Sequence, residues 1–310
     1  MWTLVAGIFM GWSLGANDAA NLFGPMVGSG AMRFWTAAIL ASIFVLVGAI
    51  TVGGSCFATY DSLGTQTLLS AFLVTLAAGI TVTLMTILGL PVSSTQAVVG
   101  AILGAGLLSG SVSFAPLTAI GLSWILTPVG GLVAAYIPYK LLVLFPRTLP
   151  NRLVNRAGVI RVGLILVTCY SAYALGANNV ANVTGVYVSS GFLSPTMGAL
   201  IGALSIGFGI LTFSRRVIET VGNDLVPLDA ITALIVILAE AITLNVYAVV
   251  GVPVSASQAV VGGVLGIGLV KGVRTIDGRV LLRVLFGWVG TPTIAGLLAA
   301  GLVLGVRLVA

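Results

Sequence analysis

The chain has 310 residues, of which 59% are apolar and only 6% charged, and a net charge of +6. Soluble domains carry about a quarter charged residues, so this composition excludes a water-soluble globule and fits a bilayer, where apolar side chains face outward. With no histidine and 2 cysteines, a disulfide framework, a zinc cluster and Ser-His or Cys-His catalysis are excluded as well.

Apolar runs recur near 2–24, 34–54, 67–89, 95–109, 116–138, 162–186, 197–213, 230–250, 258–270 and 281–305. Several are shorter than the roughly 20 residues of a full span, or are interrupted by Gly, Pro and Asn. The expected fold is an all-α polytopic membrane protein with about 10–12 membrane segments. The first run has no charged leader and its polar motif begins only at Gly15, so it is expected to be a retained span.

That motif, Gly15 to Gly30, reads GANDAANLFGPMVGSG. Asn17 and Asn21 share a helix face, with Asp18 beside them. The small residues Gly15, Ala16, Ala19 and Ala20 permit close backbone approach or local unwinding. Asn carbonyls, freed backbone carbonyls and one carboxylate are hard oxygen ligands that suit a sodium ion. Next, Pro91 to Leu107 reads PVSSTQAVVGAILGAGL. Proline disfavours helix at the residue before it, and Ser93, Ser94 and Thr95 then supply helix-start chemistry. One helix should stop there and a short one begin inside the membrane. Its N-terminus would be an anion site with no need of Lys or Arg, helped by the Gln96 amide.

The stretch 140–161 carries Lys140, Arg147, Arg152, Arg156 and Arg161 with no acid between them. Together with Lys271, Arg274, Arg279 and Arg283 further on, offset only by Asp277, it reads as cytoplasmic under the positive-inside rule. These basic loops mark topology; no nucleic-acid partner is expected.

Both motifs then return. Gly176 to Gly191 reads GANNVANVTGVYVSSG and matches the first copy at nine of sixteen positions, at an offset of 161. Pro253 to Leu269 reads PVSASQAVVGGVLGIGL and matches at twelve of seventeen, at an offset of 162. Trp124, Thr127 and Pro128 pair with Trp288, Thr291 and Pro292 at an offset of 164. The chain is therefore read as two halves, 1–139 and 162–310, joined by a basic cytoplasmic linker, 140–161. An odd number of crossings per half would give the halves inverted topology, and broken segments at matching places point to a secondary transporter. Between the second motif copies lie RRVIETVGNDLVPLD, residues 215–229, read as a solvated loop, and Glu240, alone in an apolar run. A lone intramembrane carboxylate is a functional candidate by default.

GANDAAN with GANNVAN, PVSSTQAVVG with PVSASQAVVG, and RRVIETVG followed by DL and P resemble the signatures of the inorganic phosphate transporter (PiT) family, over essentially the whole chain. The resemblance implies an inverted-repeat fold with broken or re-entrant helices, cation-coupled phosphate uptake in the cell membrane, no enzyme activity, no cofactor beyond coupling sodium ions, and a homodimer. It implies phosphate binding by Ser93, Ser94, Thr95, Gln96, Ser255, Ser257, Gln258, Asp18 and Asn179. It implies sodium binding by Asn17, Asp18, Asn21, Asn178, Asn182 and Glu240.

Four positions depart from the family pattern. Gln96 and Gln258 stand where many members have His, Asn179 where many repeat Asp, and Val45 where many have Glu. Gln does not titrate, so these changes favour sodium over proton coupling. A buried carboxylate such as Asp18 or Glu240 would accept the proton of phosphate and repel sulfate, which carries none. A proton-coupled phosphate transporter, a sulfate permease of the same family and an anion channel remain the alternatives.

Overall fold

The computed structural model describes residues 2–28, 30, 32–88, 92–144, 157–221, 229–272 and 278–309. Pro91, Arg147, Arg152, Arg156, Asp224, Arg274 and Asp277, singled out in the sequence, lie outside the described residues, as do the side chains of Glu219, Arg279 and Arg283.

The described residues form helices and no strand. In chain order these are α1 (Leu4–Gly28), α2 (Phe34–Thr51), a 3-10 turn (Gly53–Cys56), α3 (Phe57–Ser62), α4 (Leu68–Ile87), α5 (Ser94–Ser109) and α6 (Leu117–Leu144). The second half gives α7 (Ala157–Ser189), α8 (Pro195–Thr212), α9 (Ser214–Val221), α10 (Ala230–Val250), α11 (Ala256–Lys271) and α12 (Gly278–Val309). Among the described residues seven helices are long and apolar enough to cross a bilayer, and α5 and α11 are shorter apolar helices. The chain is a multi-pass membrane protein. Its outer surface agrees: Trp35, Ile39, Ile43, Val47 and Ile50 form an exposed apolar stripe along α2, which water would penalise and lipid favours.

Capping explains where several of the long helices start. Thr67 and Ser70 form a capping box at α4, and Ser194 caps α8 just before Pro195 at its first position. Asp229 accepts from the backbone N–H of Ile231 (3.1 Å) and Thr232 (3.0 Å) at the start of α10. It also pairs with Lys271 at 3.4 Å, tying the start of α10 to the end of α11.

The packing is written twice, like the sequence. Helix α1 packs on α8 and α4, and α7 packs on α2 and α10; α5 packs on α12, and α11 on α6. Glycines make the approach close at matching places. A Cβ on Gly15 would collide with the backbone of Ile206, and one on Gly176 with that of Val45. Likewise Gly100 abuts Pro292 and Gly262 abuts Pro128.

Of the two alternatives for the GAN motifs the structure takes close approach: α1 and α7 run unbroken through them, because Gly15 and Gly176 serve helix-to-helix contact and not a break. Helix α6 carries Lys140 on to Leu144, and α7 already holds Arg161. One expectation needs correction. Of the stretch read as a loop, Ser214–Val221 forms α9, with Arg215 over the Phe34 ring and Arg216 over the Phe213 ring. The charged side chains find aromatic faces, which lets a short helix form where charge suggested a loop.

Candidate functional site

The chain breaks where the Pro-Val-Ser motifs stand. Helix α4 ends at Ile87 and α5 begins at Ser94; α10 ends at Val250 and α11 begins at Ala256. Gly251 takes the left-handed conformation that closes α10 (φ 82°). Ser93 caps α5 by accepting from the Gln96 backbone N–H at 3.2 Å, and Ser255 caps α11 by accepting from that of Gln258 at 3.3 Å. Both hydroxyls are thereby engaged as acceptors; the Ser255 proton goes to Ser257 Oγ at 3.0 Å, since Ser257 spends its own on Val92.

Two further hydroxyls bind the halves together. Thr95 Oγ1 donates to the Val254 carbonyl at 2.9 Å, and Ser257 Oγ donates to the Val92 carbonyl at 2.9 Å. This is one bond made twice, each helix start pinned to the extended segment before the other. The result places two helix N-termini side by side in the interior. Ser93, Ser94, Thr95, Gln96, Ser255 and Gln258 are buried there. Two positive helix ends held together repel each other, and an anion between them removes the penalty.

The second GAN motif is wholly buried at Asn178, Asn179 and Asn182. Asn178 serves the broken backbone: its Oδ1 accepts from Val254 N–H at 2.8 Å, and its Nδ2 donates to the Leu244 and Val252 carbonyls at 3.2 Å each. Asn182 Nδ2 donates to Thr95 Oγ1 (3.0 Å), Asn179 Oδ1 (3.2 Å) and Ser94 Oγ (3.4 Å), and its Oδ1 accepts from the Tyr60 hydroxyl. So the structure brings this GAN motif directly against the start of α5. The first GAN motif is more open. Asn17 and Asn21 are half-buried, and Asn17 Nδ2 donates to Thr86 Oγ1 at 2.8 Å.

Unpartnered buried atoms mark where a ligand would be rewarded. Among the described residues these include Asp18 Oδ2, Asn179 Nδ2, Gln96 Oε1, Gln258 Oε1 and Glu240 Oε1. Asp18 and Asn179 occupy matching places in the two halves, as do Gln96 and Gln258. Glu240 sits on α10, one turn before Leu244, where its Oε2 accepts from Ser171 Oγ at 3.1 Å. No group of three or more His, Cys, Asp or Glu side chains suited to a metal occurs among the described residues. The amide and carboxylate oxygens around Asp18 suit a weakly held monovalent cation better than a divalent one.

The sequence did not single out Tyr60, Ser171, Ser55 or Thr59. Ser55 Oγ donates to the Ala248 carbonyl at 2.6 Å and Thr59 Oγ1 to the Gly251 carbonyl at 2.5 Å, so the turn and α3 clasp the end of α10. The only hint was the hydroxyl spacing in SCFATY, which puts residues 55 and 59 one helical turn apart.

The profile of the phosphate transporter family matches residues 14–299. A protein of Methanocaldococcus jannaschii named as a candidate phosphate permease is 29% identical, over 94% of this chain and 93% of its own. One from Thermococcus kodakarensis is 27% identical over 96% and 95%, and one from Chlamydia pneumoniae 27% over 96% and 96%. A solved structure described as the sodium-dependent phosphate transporter superposes over the full length of both chains with a TM-score of 0.90 at 23% identity, which shows a shared fold. With a family match running from the first GAN motif to the last helix, the chain belongs to the phosphate transporter family, whose members are transporters and not enzymes.

Proposed function

We propose that the chain is a sodium-coupled symporter of inorganic phosphate that works by alternating access between two inverted halves. The observation that carries this reading is the pair of helix starts, α5 and α11, held together by the reciprocal Thr95–Val254 and Ser257–Val92 bonds. Phosphate docks on the N–H groups of both first turns, on the Ser93, Ser94 and Ser255 hydroxyls, the last turning its proton from Ser257 to the anion, and on the Gln96 and Gln258 amides, while Ser257 holds the frame through Val92. Thr95 holds the frame, and Asn179 adds its unpartnered Nδ2.

Sodium sits beside Asp18, whose buried carboxylate oxygen lacks a partner, with Asn17 and Asn21 at its open side. Asn178 and Glu240 bound the same region from α7 and α10. The cation's charge offsets the Asp18 carboxylate and reduces its repulsion of the phosphate anion, so each ligand favours the other's binding. The residues, and not the fold neighbour, carry the sodium assignment. The first GAN motif is open and the second sealed by α3, the asymmetry expected of one end state of an alternating cycle. A homodimer accompanies this reading through the family resemblance.

Calorimetric titration of phosphate into the purified protein tests it. Binding is expected in sodium, weakened at least about tenfold when potassium replaces it, and not displaced by equimolar sulfate. Equal affinity in both salts would remove the coupling, and displacement by sulfate would move the substrate to sulfate.

A further inference from the structure

Asn182 has a fixed orientation, held at its NH₂ end by Thr95 and at its carbonyl end by Tyr60. Thr95 has one hydroxyl proton, and that proton goes to the Val254 carbonyl at 2.9 Å. Thr95 Oγ1 can therefore only accept from Asn182, so the group that faces it is the amide NH₂ and not the carbonyl. The carbonyl is left pointing at the Tyr60 hydroxyl, which donates to it. Tyr60 is fully buried and cannot follow a turned amide. Its ring lies against the helix at Gly185, where a Cβ would come within 2.9 Å of it, and its own helix is anchored by Ser55 and Thr59 on the end of α10.

We propose that Tyr60 is a positioning residue that holds Asn182 as a hydrogen-bond donor toward the transported anion. The inference rests on the phosphate symport reading, and it moves Asn182 from the cation set to the anion set. With the oxygen occupied by Tyr60, Asn182 offers a cation little; its two N–H bonds face Ser94, Thr95 and Asn179 beside the start of α5. Without the Tyr60 hydroxyl the carbonyl loses its buried donor, and the amide is held from its NH₂ end alone by Thr95 and Asn179.

The test is phosphate uptake by proteoliposomes of the full chain: wild type, Tyr60→Phe, Asn182→Ala, the double variant and Asn182→Asp. Tyr60→Phe should raise the phosphate KM about tenfold while the maximal rate and the sodium half-saturation at saturating phosphate stay within about twofold. Because Tyr60 acts through Asn182, the double variant should be no worse than Asn182→Ala. Asn182→Asp keeps the shape but puts an acceptor where the donor was, so it should raise the phosphate KM more than Asn182→Ala does, without tightening sodium. A Tyr60→Phe protein with lowered maximal rate and unchanged KM would reduce Tyr60 to packing and overturn the inference; so would effects of the two substitutions that multiply. A lowered sodium half-saturation in Asn182→Asp would return Asn182 to the cation site, and this variant decides alone if Tyr60→Phe does not insert. Wild-type protein that takes up no phosphate under a sodium gradient would overturn the symport reading and this inference with it; working wild type with an unmoved Tyr60→Phe KM overturns this inference only.

Discussion

Replacing Thr95 by Val keeps the shape of the side chain and removes one hydroxyl. Thr95 and Val254 are both fully buried, so no water can take the donor's place at the Val254 carbonyl. An orphaned buried acceptor costs about 1–3 kcal/mol. Asn182 keeps Ser94 and Asn179 as acceptors, so its share of the loss is small. A central value of about 2 kcal/mol corresponds to roughly a thirtyfold change in an equilibrium constant. The bond exists only while the two helix starts lie together, so this cost falls on the state that holds them together. Backbone hydrogen exchange at the segment leading into α11, Val254 to Gln258, should accelerate by about that factor. Ser257→Ala, which removes the reciprocal bond to Val92, should do the same to the segment leading into α5. If both variants exchange at the wild-type rate, the crossed hydroxyls do not hold the site together and the anion cradle loses its structural basis.

Other outcomes follow from the same structure. Asp18→Asn should raise the sodium half-saturation of uptake at least about tenfold and weaken the preference for phosphate over sulfate, because it removes the carboxylate charge and acceptor; a sodium titration of uptake checks both. Gly100→Ala and Gly262→Ala should each cost about 1–3 kcal/mol, read as a lower melting temperature in detergent, since each Cβ would meet the backbone of a facing helix at Pro292 or Pro128. Partial burial pushes the Asp229 carboxyl up, but the Thr232 backbone N–H and Lys271 outweigh it and hold the pKa below the ordinary Asp value. Its contribution to stability is therefore full at neutral pH and is lost as pH falls through the lowered folded-state value; melting scans should show Asp229→Ala losing about 1 kcal/mol as an N-cap near pH 7, with the gap to wild type closing in acid.

The short inner helices α5 and α11 could be read from residues alone because polar positions in apolar runs are costly and therefore informative. The two Pro-Val-Ser motifs break the helices where the proline rule expects, and Ser93 and Ser255 are the caps expected of them. The GAN motif was harder. Glycine and alanine allow either unwinding or close approach, and only the facing backbones of Ile206 and Val45 decide for approach. Tyr60 was invisible because its partner lies 122 residues away and its own neighbourhood carries no polar repeat. Which end of an asparagine amide faces a site is set by the proton count of neighbours such as Thr95, and that count needs the tertiary structure.

The most direct measurement is radiolabelled phosphate uptake into proteoliposomes, with an inward sodium gradient or with potassium in its place, and with excess sulfate as competitor. Saturable uptake that requires sodium and that sulfate leaves intact is the expected result. Uptake indifferent to sodium would place the coupling on protons or make the protein a channel, and would contradict the role given to Asp18.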